Sequence, residues 1–270
     1  MLSQSYILLL ALLFLGSLGT CGYLGWRAVK RDPWPRQHER TQIAWPGWLL
    51  PLAIVTWVGL AVFAKRPVPL TAIDPDAVNG PLIHNALLDL LALFIFLLGL
   101  IEWSIHLAPP PGDTARGREP ISRQLLYGGV GFLACLAPTL VVFQLTLPFR
   151  TDDILHPLLK LISEDETRLI LISVTFSAVV VAPWFEELMF RVIMQRTFLK
   201  RFPPSVSILL TAAAFCAIHP SWQDAVGLAP LALVLGVTYH RTGSFLAVVL
   251  IHMLFNAFNI LGMLMESPVG

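Results

Sequence analysis

Of the chain's 270 residues, 56% are hydrophobic and only 13% are charged, with a mean hydropathy of +0.72; this balance excludes an ordinary soluble domain and reads as a polytopic membrane protein. A net charge of +1 makes no case for nucleic acid, and no nucleic-acid partner is expected. The three cysteines, Cys21, Cys135 and Cys216, are scattered through apolar segments without CxxC spacing, so they read as small core residues rather than a disulfide framework or a cysteine metal site.

A helix needs about 20 apolar residues to cross the hydrocarbon of a bilayer. The first apolar run, 6–26, has no lysine or arginine before it and Arg27, Lys30, Arg31, Arg36 and Arg40 after it. That is the reverse of the charge order of a cleaved signal peptide, so an uncleaved helix with its N-terminus outside is expected. Further runs follow at 44–64, 83–107, 125–147, 169–190, 205–219, 226–239 and 244–265, separated by proline-rich or charged linkers. When the loops are assigned to alternate sides, those placed inside hold most of the 18 basic residues. Those placed outside collect Asp74, Asp76, Asp152, Asp153, Glu164, Asp165, Glu166, Asp224 and Glu266. This positive-inside bias favours an all-α, polytopic transmembrane helical bundle of about eight helices with both termini outside. The segment 156–161 is apolar enough to lie on the outer surface as a short amphipathic helix, or to be a plain loop.

The chemistry concentrates late in the chain. Pro183-Trp184-Phe185-Glu186-Glu187-Leu188-Met189-Phe190-Arg191 sets two adjacent carboxylates and an arginine in an apolar, helix-compatible run. A charge near the middle of a bilayer costs about 2.5–3.5 kcal/mol on insertion scales, so the pair needs a reason. On a helix Glu187 and Arg191 share a face and can pair, whereas Glu186 points about 100° away and stays available as a general base. A helix end lying among lipid head groups is the plainer alternative. Two more polar groups stand in apolar helices: His219, one turn after Phe215, and His252, one turn before Asn256. A single membrane histidine serves equally as a helix–helix hydrogen-bond partner, but two polar groups aimed the same way define a small polar site. At the outer and inner ends of the third run, Asn85 with Asp89 and Glu102 with His106 read as interfacial or locally paired groups. The tryptophans, among them Trp26, Trp34, Trp45, Trp48 and Trp103, fall near expected helix ends as an interfacial belt.

EExxxR at 186–191, FxxxH at 215–219 and HxxxN at 252–256, in that order, resemble the CPBP family of intramembrane proteases, which includes the type II CAAX prenyl endopeptidases and the Abi-type bacterial proteins. Arg241-Thr242-Gly243-Ser244-Phe245 resembles the family's lead-in to its last histidine. The resemblance covers 169–264 and implies a catalytic core at 168–265, with 1–150 as N-terminal helices for scaffolding or substrate selection. It implies an intramembrane endopeptidase acting on a membrane-associated protein or peptide, prenylated or C-terminally anchored, in contact with membrane lipid. In these roles Glu186 activates water, His219 shares the proton, His252 and Asn256 stabilise the oxyanion, and Glu187, Arg191 and Phe215 support the site. No cofactor is required on this reading. Zinc stays open, because Glu186, His219 and His252 with a water form a known ligand type, although the HExxH motif is absent. An inactive immunity or scaffold relative and a proton-coupled transporter are the alternatives; the crowding of polar residues into the last hundred positions speaks against the latter. The compact size leans towards a prokaryotic plasma membrane.

One strain remains in this reading. At about 1.5 Å per residue from the inner helix ends, Glu187 and His252 lie about 13 Å deep but His219 about 22 Å. A break at Pro183, or a tilted sixth helix, is expected to bring them together.

Overall fold

A computed structural model describes residues 4–35, 55, 120–149, 175–219 and 221–266. The runs at 44–64 and 83–107, the start of the run at 169–190, the acidic and amphipathic stretch at 152–166, and Asn85, Asp89, Glu102, His106, Trp45, Trp48 and Trp103 lie outside the described residues. Among the described residues the elements are helical, without strands. They are α1 (Gln4–Val29), α2 (Ile121–Thr146), a long composite α3, α4 (Pro204–Ala217), a short α5 (Trp222–Gly227), α6 (Ala229–Thr242) and α7 (Phe245–Glu266). The composite α3 runs without a gap through a π turn (Ser177–Val181), an α segment (Ala182–Glu187), a π stretch (Leu188–Gln195) and a last α turn (Arg196–Leu199). Among the described residues three segments, Tyr6–Val29, Ile121–Phe149 and Phe245–Met265, are long and apolar enough to cross a membrane. α3 continues well past the end of its apolar run at Phe190.

α1 turns most of its leucines outward and meets α2 through small and polar residues. The reason lies in Pro138, inside α2. A proline cannot donate to the carbonyl four residues back, here Ala134. Cys21 of α1 donates its thiol to that carbonyl at 3.3 Å. One turn away the Ser17 hydroxyl enters the ladder itself, accepting from Ala137 N–H at 2.8 Å and donating to the Leu133 carbonyl. Lipid offers no water to satisfy these groups, so the neighbouring helix does. Cys21 is therefore a hydrogen-bonding residue rather than a mere space filler; Cys135 is fully buried in the core.

α2 in turn approaches α7 closely, because Gly128 and Gly131 leave room for Leu250 and Ile251. A Cβ at Gly128 would stand 2.6 Å from Leu250 Cδ2, and one at Gly131 2.3 Å from Ile251 Cδ1. The main core gathers Phe132, Cys135 and Leu136 of α2 with Leu188 and Val192 of α3, Leu231 and Leu235 of α6, and Val248, Ile251 and Phe255 of α7.

The link from α6 to α7 is made by residues 241–244. Gly243 takes the left-handed conformation, φ 59°, that ends α6. Thr242 Oγ1 accepts the Ser244 N–H at 3.1 Å; Ser244 Oγ accepts the Ala247 N–H at 3.2 Å, capping α7, and donates to Gln124 of α2 at 2.9 Å. Arg241 donates to the carbonyls of Pro33 and Pro35, tying down the segment that follows α1.

Candidate active site

Three helices, α3, α4 and α7, bring the polar residues together. In α3 the Glu187 and Arg191 side chains are both fully buried and pair at 2.9 Å. Arg191 also donates to the Ala232 carbonyl of α6 at 3.4 Å, and its guanidinium lies 4.7 Å from the centre of the Phe215 ring. One turn further Gln195, also fully buried, donates to the Gly236 carbonyl at 2.9 Å. Residues 187, 191 and 195 thus form a polar stripe at helical spacing, and its last two members reach carbonyls one turn apart on α6. Sequence reasoning missed Gln195, though the four-residue repeat was its signal.

α7 sends His252 to the glutamates. Its Nδ1 lies 2.8 Å from Glu187 Oε1, the oxygen that Arg191 also contacts, and its Nε2 lies 3.8 Å from Glu186 Oε2. A carboxylate oxygen facing a cation accepts, so Nδ1 carries the hydrogen and Nε2 is turned towards Glu186. The Glu186 side chain keeps 20% of its surface open, unlike Glu187. Adjacent carboxylates therefore stand in different surroundings: one is locked between an arginine and a histidine, the other is partly exposed across from the same imidazole.

His219 follows α4 directly. Its Nδ1 donates to the Phe215 carbonyl at 2.9 Å, which leaves Nε2 without that duty. Phe215 is the hub of the arrangement. Its ring lies 5.2 Å from His219, 5.6 Å edge-on from His252 and 5.3 Å from Phe190, beneath the Arg191 guanidinium. Both histidines and the arginine thus surround one aromatic ring, and Glu186 lies within electrostatic range of His252, His219, Glu187 and Arg191. The break expected at Pro183 is not found: α3 passes through this residue, with π geometry on both sides of the short segment that carries the glutamates.

Asn256 makes a contact with the backbone of α3. Its Nδ2 donates to the Ala178 carbonyl, in the first π turn of α3, at 2.8 Å. One amide hydrogen is thereby committed, and the second has no acceptor among the described residues.

Among the described residues no three His, Cys, Asp or Glu side chains stand close enough together to hold a metal ion. His252 Nδ1 is engaged by Glu187 and His219 Nδ1 by a backbone carbonyl, which leaves Nε2 of each ring as the nitrogen able to bind a ligand, and Nε2 of His252 is 3.8 Å from Glu186.

No curated protein and no solved structure matches the chain. Residues 168–258 match the family model described as Type II CAAX prenyl endopeptidase Rce1-like, and this segment spans all three motifs, EExxxR, FxxxH and HxxxN. Over those residues the chain carries a domain of the CPBP, or CAAX-type, intramembrane protease family.

Proposed function

We propose that the protein is an intramembrane endopeptidase that hydrolyses a peptide bond of a membrane-associated protein or peptide with water activated by Glu186. The observation that carries the reading is the meeting, across 65 residues of sequence, of His252 with both glutamates, at 2.8 and 3.8 Å. A water about 2.8 Å from both Glu186 Oε2 and His252 Nε2 closes a triangle on that longer separation. Glu186 takes the water's proton as the oxygen attacks the scissile carbonyl carbon, and His219 helps to hold it. The tetrahedral oxyanion accepts from the free Nδ2 hydrogen of Asn256, and from His252 when its Nε2 carries a hydrogen. The proton then passes to the leaving nitrogen, the C–N bond breaks, and acid and amine separate. Glu187 and Arg191 hold the imidazole, and Phe215 spaces the histidines.

On this proposal the chain crosses the membrane about eight times. Residues 168–265 form the catalytic part and 1–150 a scaffolding or substrate-selecting part, in a prokaryotic plasma membrane. Substrates are prenylated or C-terminally anchored chains in contact with lipid. The family match supports a protease over a transporter, and the intact EExxxR, FxxxH and HxxxN motifs support an active protease over an inactive relative.

The test is cleavage of a fluorogenic membrane-peptide library by the purified full chain, wild type against Glu186→Ala and His252→Ala, each with and without a strong chelator. Activity lost in both variants and indifferent to chelator is expected. Equal cleavage by all three proteins overturns the site; loss to chelator with restoration by zinc overturns the metal-free mechanism.

A further inference from the structure

The Ala178 carbonyl ought to be satisfied within its own helix. In an α-helix its donor would be the N–H of Ala182, but that N–H is given to Ser177, the register of a π turn. In the π register the donor would be residue 183, which is proline and has none. Both backbone candidates are thus removed, and the amide of Asn256 takes their place at 2.8 Å.

We infer that Asn256 is a positioning residue: it replaces the backbone hydrogen bond that Pro183 deletes, and so fixes the height of α7 against the glutamate-bearing part of α3. The same two helices are joined by only one other hydrogen bond among the described side chains, His252 to Glu187. Along α7 the two attachment points are one turn, about 6 Å, apart; along α3 they are nine residues apart and run in the opposite sense. Two such points define both a position and a tilt. Removing the Asn256 contact leaves α7 able to swivel about His252, and with it the gap between Nε2 and Glu186. This role rests on backbone accounting and stands whether or not the proposed hydrolysis is correct, although its catalytic consequence depends on that reading.

The deleted donor can be given back. Pro183→Ala restores an N–H at residue 183, which can serve Ala178 in the π register or release Ala182 to serve it in the α register. The experiment compares the full chain with Asn256→Ala, Pro183→Ala and the double variant in detergent micelles, by thermal midpoint and by hydrogen–deuterium exchange of the peptide 175–190. Asn256→Ala alone is expected to lower the midpoint by several degrees and to speed exchange in that peptide. In the Pro183→Ala background the same substitution is expected to change both by less than half as much. Equal effects in the two backgrounds overturn the inference. Should Asn256→Ala fail to fold, recovery of a folded double variant supports it, and a double variant that also fails overturns it.

Peptide cleavage by the same four proteins separates this role from direct contact with the reacting carbonyl. Recovery of midpoint and turnover together assigns the loss to positioning. Recovery of the midpoint with turnover still lost supports the positioning bond and adds an oxyanion contact. If none of the four proteins cleaves peptide, the proposed hydrolysis fails while the midpoint and exchange still decide the inference.

Discussion

Replacing Arg191 by methionine isolates the cost of a buried charge left without its partner. The substitution keeps much of the side-chain volume and apolar contact with Phe215. It leaves the fully buried Glu187 carboxylate with His252 as its one remaining side-chain donor among the described residues. Removing one member of a buried ion pair costs about 3–5 kcal/mol, against about 0–1 for an exposed pair. For a chain of this size each kcal/mol moves the midpoint by about 2–4 °C, so a fall of about 6–20 °C is expected. Unfolding in detergent is followed with a thiol-reactive dye, because Cys135 is fully buried in the main core and reacts only when that core opens. All variants are heated at one scan rate, since the transition of a membrane protein is commonly irreversible. Neutralising the stranded carboxylate, in Glu187→Gln with Arg191→Met, is expected to recover more than half of the loss. A single variant within about 2 °C of wild type would mean that the pair contributes no more than an exposed one. A double variant no better than the single would refute the reasoning differently, placing the loss in the ring contact at 4.7 Å rather than in the stranded charge.

Glu187→Gln alone, which disturbs the anchor of His252, should lower kcat by about 100-fold with little change in KM, as small misplacements of reacting groups do; a changed KM with normal kcat would contradict an anchoring role. Gly128→Ala drives a Cβ to 2.6 Å from Leu250 Cδ2 and 3.0 Å from its Cβ, so a loss of about 1–3 kcal/mol is expected in the same melt, partly relieved by Leu250→Ala. No relief would show that α2 and α7 do not meet there. Ser17→Ala removes the hydroxyl inserted between Ala137 and Leu133 and should cost about 1–2 kcal/mol. Cys21→Ala should lower the midpoint less in a Pro138→Ala chain than in wild type, because residue 138 then serves the Ala134 carbonyl itself; an equal drop in both would remove the thiol from that bond.

What could be read from the sequence followed the kind of physics each feature obeys. Hydropathy marked α1, α2 and α7 to within a few residues of the runs at 6–26, 125–147 and 244–265, since burial in lipid selects apolar runs, but it missed the continuation of α3 to Leu199. Fixed i, i+4 spacing placed Arg191 opposite Glu187. The same spacing could not reveal that His252 would engage Glu187 by Nδ1, because that depends on how α7 lies against α3. Nor could it reveal the π geometry around Ala182–Glu187, whose five-residue hydrogen bonds leave almost no trace in a hydrophobic pattern. Pro183 was recognised as a disturbance, but of the adjustments expected, a break there or a tilted sixth helix, the break is not found and the helix instead widens and carries on. Gln195 and Ser17 escaped notice and Cys21 was read only as a small core residue, because the role of each depends on how its helix lies against a neighbour.

Pro138 and Pro183 bear on assembly as well as on shape. Leucine-rich helices in lipid have little reason to prefer one rotation or height over another, since a slide by a few ångströms exchanges one greasy contact for the next. A carbonyl bared by proline changes the choice from continuous to discrete: Ala134 is satisfied only when Cys21 arrives at its level, and Ala178 only when Asn256 does. The two prolines thereby act as alignment marks, one for α1 and one for α7. A chain with either proline moved by a single position would keep its hydropathy profile almost unchanged and lose the instruction for where its helices stop.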